Sequence, residues 1–189
     1  MKTYTGHGDE GYTNQPGGRK VRKCAPVCDA VGSLDELSAA IAWCMVSAGQ
    51  SNVAADEILQ TLGPIQRELP VICAMLAACE ATGLPKVVLK DAAAGRLERQ
   101  IDEIAARLPQ LKHFIIPGGT ELSCRLNLAR TICRRAERCL ASAQDAGLVV
   151  GPAIQKYMNR LSDLLFCLSR LANFLAGQIE ETWQGTDAG

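Results

Sequence analysis

Arginines cluster on one side of a segment in the second half of the chain. The stretch L-N-L-A-R-T-I-C-R-R-A-E-R-C-L, residues 126–140, contains four arginines and no lysine. At about 100° per residue, a helix would separate a charged arc from an apolar arc. The charged arc contains Arg130, Arg134, Glu137 and Arg138, and Arg135 lies on its flank beside the apolar arc. The apolar arc contains Leu128, Ile132, Cys133, Ala136, Cys139 and Leu140.

Arginine makes planar, bidentate contacts with phosphate and carboxylate groups. The segment therefore indicates either an anion-binding face or a solvated face supported by Arg–Glu pairs.

A glycine-rich stretch near the N-terminus offers a second phosphate site. Residues 6–11, G-H-G-D-E-G, match the pattern G-x-G-x-x-G. A dinucleotide-binding turn needs a strand before it, a helix after it and a parallel sheet. Only five residues precede Gly6, and Y-T-N-Q-P-G-G-R-K follows, so we reject that interpretation. The stretch is either an arm whose backbone N–H groups wrap phosphates or a disordered N-terminus. Its supporting side chains would be Thr5, Thr13, Lys20, Arg22 and Lys23.

A third polar group lies in Y-M-N-R-L-S-D-L-L-F-C-L-S-R-L, residues 157–171. Asn159 and Asp163 are one helical turn apart, so both can reach a single ligand or one arginine. Helical periodicity places Phe166 and Arg170 on the same face. This face is either polar surface or, given the phenylalanine, partly covered by a ligand or another subunit.

Two carboxylates, Asp35 and Glu36, lie near the start of a predicted helix. Ser33 and Glu36 have the spacing of a capping box, which predicts that the helix begins at Ser33. The helix dipole favours acidic residues in a first turn, so capping is their simplest role. Asp35 could also pair with an arginine from elsewhere.

The elements that position these residues are predicted to be helices. Hydrophobic residues make up 48% of the 189 residues and aromatic ones only 4%, which favours helices over strands. Five helical segments and no convincing strand are predicted, at about 33–48, 51–78, 92–108, 121–144 and 152–177. Pro64 and Pro70 predict a kink or two pieces in the second. The expected fold is an all-α, up-and-down five-helix bundle forming a single domain, 1–189. It divides into an irregular N-terminal arm (1–32), the bundle (33–177) and a C-terminal tail (178–189).

Composition narrows the classes of function. Acidic and basic residues balance at 20 each, so we expect no nucleic-acid partner. The nine cysteines include no C-x-x-C pair, and Cys24 with Cys28 lacks further ligands, so we expect reduced thiols and no metal site in the protein itself. The first residues, M-K-T-Y-T-G, have no apolar core typical of a signal peptide. Since no run of apolar residues reaches membrane-spanning length, we expect no membrane contact and a cytoplasmic location.

Several of these stretches together resemble one family. T-Y-T-G-H-G-D-E-G-Y-T, A-V-G-S-L-D-E-L-S-A-A-I, I-Q-R-E-L, F-I-I-P-G-G-T-E-L-S-C-R-L-N-L-A-R-T-I-C-R-R-A-E-R and Y-M-N-R-L-S-D-L-L-F-C-L-S-R-L-A-N occur in the order found in PduO-type ATP:cob(I)alamin adenosyltransferases. The resemblance implies a five-helix bundle that assembles as a homotrimer with active sites between subunits. It implies transfer of the 5′-deoxyadenosyl group of ATP, accompanied by Mg2+, to cob(I)alamin, giving adenosylcobalamin and triphosphate.

The resemblance also implies roles for individual residues. The N-terminal ATP loop would contain Thr5, Gly8, Asp9, Gly11 and Thr13, with Lys23 as a downstream phosphate ligand. Asp35 would pair with Arg130 across the subunit boundary. The further ATP-site residues would be Arg134, Arg135, Glu137, Asn159 and Asp163. Phe114 would lie against the corrinoid and help to exclude its lower axial ligand. Of these, the residues implied in catalysis are Arg134, Asp35, Arg130 and Phe114. The sequence departs from the family at Gly6, where a basic residue is usual; Lys20 or Arg22 could replace the lost charge.

Two other functions remain open at this stage. The chain could be a non-catalytic ATP- or corrinoid-binding protein that delivers or senses the cofactor, or a helical oligomer without a small ligand. The enzymatic role would bring a corrinoid reductase and an adenosylcobalamin-dependent enzyme as protein partners.

Overall fold

Five helices dominate the part of the chain described by the computed structural model, which comprises residues 4, 6, 8–15, 19–51, 55–79 and 88–183. The helices are α1 (Pro26–Gln50), α2 (Ala55–Cys79), α3 (Ala92–Ala105), α4 (Glu121–Asp145) and α5 (Pro152–Leu175). The prediction of an all-α, up-and-down five-helix bundle is confirmed. In the described residues, no helix combines the length and apolar character needed to cross a membrane.

The core forms where the apolar faces of the helices meet. α1 packs against α2 and α4, α4 packs against α5, and α5 packs against α3. Four leucines of α5 are buried in this core: Leu161, Leu164, Leu168 and Leu171. Complete burial of one such side chain contributes about 1.5–3 kcal/mol. This rigid core fixes the faces of α1, α4 and α5 that carry the candidate site residues.

The first helix begins earlier than predicted. α1 starts at Pro26, after Ala25 in an extended conformation, and the arm therefore ends at Ala25 rather than at residue 32. Proline suits a first helical position because its missing N–H would have no partner there. The predicted capping box is wrong: Ser33 is buried inside α1 and its hydroxyl donates to Cys139 Sγ at 3.3 Å. Asp35 consequently lies well inside the helix, not in its first turn.

The second helix is continuous through its two prolines, so of the two predicted alternatives, a kink or two pieces, the second is wrong. An internal proline removes a backbone hydrogen bond and costs about 3 kcal/mol. The apolar side chains on either side, Leu62, Ile65 and Leu69, are buried in the core. Their packing offsets that cost, since tertiary contacts override local propensity.

Four very short strands were not predicted. Strands β1 (Tyr12–Asn14) and β2 (Lys20–Arg22) form an antiparallel ladder in the arm. Strand β3 (Phe114–Ile115), between α3 and α4, pairs with β4 (Thr182–Trp183) after α5. Two or three residues are too few to show an alternating pattern, which explains why the sequence did not reveal them. The pair β3 and β4 joins the C-terminal segment to the loop between α3 and α4, which carries Phe114.

Candidate active site

The N-terminal arm brings a lysine against its glycines. Pairing of β1 with β2 reverses the chain, and the backbone N–H of Lys23 donates to the Gly11 carbonyl at 2.9 Å. A Cβ placed on Gly8 would lie 2.9 Å from Lys23 Nζ, so the ammonium group lies directly against the glycine backbone. Four predicted ATP-loop residues are therefore found here. Gly8, Asp9 and Gly11 lie in the turn that Lys23 contacts, and Thr13 follows in β1. Thr5 lies outside the described residues.

The backbone explains the glycine at position 6. Gly6 has φ +74°, a left-handed conformation that residues with a side chain rarely adopt, and its carbonyl accepts from the Asp9 N–H at 3.3 Å. A basic side chain at this position would strain that turn. Lys20 is already engaged, since its ammonium lies 3.7 Å from Glu10 and 4.7 Å from the centre of the Tyr12 ring. Lys23 thus places a cation of the arm against the glycine turn.

The arginine at the centre of the site is held by two neighbours. Arg130 Nε donates to Asn127 Oδ1 at 3.2 Å, and the guanidinium lies 6.0 Å from the centre of the Phe166 ring of α5. The amide of Asn127 donates in turn to the Ser123 carbonyl at 3.2 Å. Partial burial, with a further contribution from the positive charge of Arg134, lowers the pKa of Arg130 below its usual value. A site that penalises a cation in this way is suited to receive an anion.

The neighbouring arginines of α4 differ in their partners. Arg134 and Arg138 are exposed, and neither has an ion pair in the part of the chain that the structure describes. Arg135 forms an ion pair with Glu36 of α1. Leu128, predicted in the apolar arc, is instead 47% exposed. The charged face therefore leaves Arg134 available for a ligand.

The polar residues of α5 join this face through one carboxylate. Asn159 Nδ2 donates to Glu137 Oε1 at 3.1 Å, which links α5 to α4. Asn159 Oδ1 accepts from Arg160 at 2.6 Å, and Arg160 also lies 3.8 Å from Asp163. Asn159 is therefore joined to Glu137 of α4, and Arg160 links Asn159 to Asp163.

A cavity of about 500 Å³ lies beside Arg130. Its lining, which we call the Phe114 cavity, consists of Leu111, Lys112, His113, Phe114, Ile115, Pro117, Asn127, Arg130 and Phe166. Phe114 is 80% exposed, so one face of its ring is free to contact a bound molecule. The sequence did not single out Asn127, although its position one turn before Arg130 was a usable signal.

Asp35 stands apart from these residues within one subunit. It is exposed on α1, and none of the described residues forms an ion pair with it. Its charge, after the larger effect of burial, helps to raise the pKa of the Cys73 thiol of α2. A pair between Asp35 and Arg130 within one chain is therefore not observed.

Arg170 does not lie on the polar face where the sequence predicted it. The sequence placed it with Asn159, Asp163 and Phe166, but it is only 8% exposed. Its Nε lies 3.0 Å from Glu180 Oε2, and its Nη2 donates to the Pro109 carbonyl at 2.8 Å. The C-terminal segment folds back over this side chain, and no local periodicity reveals that contact.

The His, Cys, Asp and Glu side chains are potential metal ligands. Within 8–15, 19–51, 55–79 and 88–183, no three His, Cys, Asp or Glu side chains are grouped to hold a metal ion. Eight cysteines are free thiols, Cys24, Cys28, Cys44, Cys73, Cys124, Cys133, Cys139 and Cys167, and of these Cys44 and Cys133 are buried.

Comparisons with known proteins identify the family of this chain. The family model for cobalamin adenosyltransferases matches residues 3–172. A corrinoid adenosyltransferase of Mycobacterium tuberculosis is 39% identical over 177 residues, which cover 91% of this chain and 89% of that protein. The corrinoid adenosyltransferase PduO of Salmonella typhimurium is 39% identical over 172 residues, which cover 90% of this chain and 49% of that protein. The chain thus spans about half the length of the Salmonella relative.

Solved structures give the same result. A variant PduO-type ATP:corrinoid adenosyltransferase from Lactobacillus reuteri, complexed with cobalamin and ATP, superposes with a TM-score of 0.88 at 30% identity, covering 97% of this chain and all of that one. A second variant of that enzyme, complexed with ATP, has a TM-score of 0.83 at 31% identity and covers 96% and 99% of the two chains. The family and the class of enzyme predicted from the motifs are confirmed. This chain belongs to the cobalamin adenosyltransferase family.

Proposed function

We propose that this chain transfers the 5′-deoxyadenosyl group of ATP to cob(I)alamin. The observation that carries the proposal is the position of Arg130, half-buried between Asn127 and Phe166 at the edge of the Phe114 cavity. One side of this arginine faces a cavity large enough for part of a planar macrocycle. The other side continues into the exposed cationic surface of α4. The same residue therefore borders both a corrinoid site and a triphosphate site.

In the reaction, the reduced cobalt attacks the 5′-carbon of the ribose. A cobalt–carbon bond forms, the carbon–oxygen bond to the triphosphate breaks, and the triphosphate leaves with the electron pair. Arg134, Arg130 and Lys23 stabilise that growing negative charge, together with N–H groups of the glycine turn. No proton is transferred at carbon, so the site needs precise alignment more than a general base.

The remaining predicted residues align the nucleotide. Glu137 and Asn159 are already joined at 3.1 Å, and Asp163 lies near Arg160 on the same helix. Such a network holds polar side chains in one arrangement before the ligand arrives. Arg135 contributes to ATP binding while its ion pair with Glu36 keeps it near α1.

Phe114 acts on the corrinoid side. An exposed aromatic ring against the cobalt face excludes water and the lower axial ligand, which makes reduction to the cob(I) state easier. Mg2+ travels with ATP and is coordinated by phosphate oxygens, since the described residues offer no three-ligand group of their own. A corrinoid reductase supplies the reduced substrate and an adenosylcobalamin-dependent enzyme receives the product.

We propose further that the enzyme is a homotrimer with active sites between subunits. Trp43 and Val46 of α1 and Leu128 of α4 are exposed apolar side chains on two helices that pack against each other. Exposed apolar side chains grouped on one surface are typical of an interface. Asp35 on the same helix as Trp43 is free to pair with Arg130 of a neighbouring subunit. The free thiols suit a reducing compartment, and we place the enzyme in the cytoplasm.

A spectroscopic assay tests the enzymatic role against a non-catalytic carrier or sensor. The protein is mixed with ATP, Mg2+ and cob(II)alamin under strong reduction, and absorption is followed. The proposal expects a light-sensitive adenosylated product at a rate that depends on protein concentration. Binding of ATP and corrinoid without product, under conditions where a known adenosyltransferase turns over, would leave only the carrier or sensor.

A further inference from the structure

The connector between α3 and α4, residues 106–120, is anchored near both ends by buried side chains of α5. Arg170 is 8% exposed and contacts the connector at Pro109; Asn173 is 4% exposed and contacts it at Gly118 and Thr120. We propose that Arg170 and Asn173 are positioning residues that fix Phe114 at its place in the Phe114 cavity. The inference rests on the proposed function for the role of Phe114.

Phe114 needs such anchors because its own packing does not hold it. The ring is 80% exposed, and β3 is only two residues long. A two-residue strand provides few backbone hydrogen bonds, so the orientation of Phe114 depends on what the connector is attached to. A ring that must cover one face of cobalt tolerates little displacement, since errors of about 1 Å can cost a hundredfold in rate.

Arg170 anchors the first part of the connector and the C-terminal segment together. Its Nη2 donates to the Pro109 carbonyl at 2.8 Å, and its Nε contacts the two Glu180 oxygens at 3.0 and 3.4 Å. Glu180 lies just before β4, and the Ile116 N–H donates to the Glu181 carbonyl at 2.8 Å. Since Phe114 is paired with Trp183, one guanidinium contacts the segments that lead into both strands of this small sheet.

Asn173, almost one turn later, anchors the other end. Its Oδ1 accepts from the Thr120 N–H at 2.9 Å, and its Nδ2 donates to the Gly118 carbonyl at 3.0 Å. Gly119 between them has φ +90°, and a Cβ there would collide with the Asn173 amide. This close approach fixes the connector relative to the start of α4, the helix that carries Arg130.

Arg170 acts from outside the Phe114 cavity. It lines a neighbouring cavity of about 390 Å³ and is not part of the Phe114 cavity's lining. The two cavities share Leu111, Lys112, His113 and Ile115, so the connector forms a common wall between them. Arg170 therefore influences the corrinoid through Phe114 and not by direct contact.

A double-mutant cycle tests this mechanism. Arg170→Gln is introduced into the wild-type chain and into Phe114→Ala, and the corrinoid KM, the ATP KM and the absorption spectrum of bound cob(II)alamin are measured. We expect Arg170→Gln to raise the corrinoid KM roughly tenfold and to leave the ATP KM within about twofold of the wild-type value. The spectrum of bound cob(II)alamin should become that of cobalt with its lower axial ligand attached. In the Phe114→Ala background, the same substitution should change the corrinoid KM by less than about twofold.

Two further variants separate positioning from general stability. Arg96→Gln breaks another partly buried pair, between α3 and Glu68 of α2 at 2.6 Å, in which no connector residue takes part. It should lower the melting temperature without changing either KM. Arg170→Lys keeps the charge beside Glu180 but cannot serve both Glu180 and Pro109, so it should keep the fold and retain most of the corrinoid defect.

Hydrogen exchange gives a readout that does not require activity. The Ile116 amide, bonded to Glu181, should exchange faster in Arg170→Gln and unchanged in Arg96→Gln. Equal effects of Arg170→Gln in both backgrounds, or an unchanged Ile116 amide, would overturn the inference. Faster Ile116 exchange in Arg170→Gln, together with a wild-type chain that makes no product, would instead contradict only the proposed function.

Discussion

The guanidinium of Arg130 lies over the Phe166 ring, 6.0 Å from its centre, while its Nε donates to Asn127 Oδ1 at 3.2 Å. These two contacts come from different helices, α5 and α4, and they fix the plane of the guanidinium before any ligand binds. Contact with an aromatic face contributes about 0.5–1 kcal/mol or more when water is excluded. Only arginine combines a planar cation with a side-chain N–H in this direction.

Arg130→Lys should therefore impair the enzyme although the charge is kept. We expect kcat/KM for ATP to fall about tenfold or more, because lysine loses the planar contact and the bond to Asn127. Steady-state kinetics with saturating corrinoid would measure the change. Arg138→Lys, an exposed position two turns further along the same helix, is the matched control and should stay within about twofold. Equal losses in both variants would remove the special role of Arg130.

Gly8→Ala should weaken ATP binding by displacing a lysine. The added Cβ would lie 2.9 Å from Lys23 Nζ and 3.2 Å from its Cε, so the ammonium must move. We expect the ATP KM to rise about fivefold and the melting temperature to stay nearly constant, since the arm lies outside the core.

Gly95→Ala in α3 is a matched control for the same change of residue. Its new Cβ would make only an ordinary contact, 3.8 Å from Arg99 Nη1. A glycine-to-alanine change inside a helix stabilises it by about 0.5–1 kcal/mol, so the melting temperature should rise while the kinetics stay the same. An ATP KM unaffected by Gly8→Ala would show that Lys23 does not act on the nucleotide from this position.

Local signals predicted the helices well where chain-breaking residues mark their ends. α4 and α5 were placed at 121–144 and 152–177 and extend from Glu121 to Asp145 and from Pro152 to Leu175. Gly118 and Gly119 precede the first, and Pro152 begins the second. The start of α1 was missed because Ser33 and Glu36 imitate a capping box inside a helix. The stronger signal was Pro26, a favourable first residue.

Contacts between distant segments could not be predicted in this way. Arg170 is buried because Glu180 folds back over it, and helical periodicity on α5 contains no information about that tail. Leu128 is exposed although it follows the apolar period, because burial depends on which helices pack against α4. The family's motifs implied Arg130 and Phe114 as site residues, whereas Asn127 and Asn173 were recognised only from their contacts in the structure.

Stability should fall at alkaline pH because of buried thiols. Burial raises the pKa of Cys44 from its ordinary value of 9.0 to about 12. Cys44 stabilises the folded state fully below the pKa of the thiol in the unfolded chain, about 9, because the buried thiol stays neutral. This contribution to the free energy of unfolding is lost as pH rises from about 9 to the folded pKa of about 12. Burial raises the pKa of Cys133 in the same direction. The free energy of unfolding, measured with urea between pH 8 and 11, should therefore decrease as pH rises.

The contribution of Cys44 can be isolated by substitution. Cys44→Ala should reduce the slope of unfolding free energy against pH, whatever its effect on the absolute value. Cys24→Ala, which removes an exposed thiol, should leave the slope unchanged. Identical slopes for wild type and Cys44→Ala would mean that this thiol titrates equally in folded and unfolded chains.

Mixed oligomers test whether each active site is shared by two subunits. Asp35 and Arg134 lie on different helices, α1 and α4, and neither has an ion pair within the described part of its own chain. If one subunit supplies Asp35 and its neighbour supplies Arg134, Asp35→Asn and Arg134→Ala should each be nearly inactive as pure trimers. When the two variants are unfolded together and reassembled at equal concentrations, some interfaces combine an intact Asp35 with an intact Arg134. Random assembly into closed rings makes about a quarter of all sites of this type, so about a quarter of wild-type activity should return.

Size-exclusion chromatography with light scattering checks that every sample is trimeric. If both residues came from one subunit, every site would keep one substitution and mixing would restore nothing.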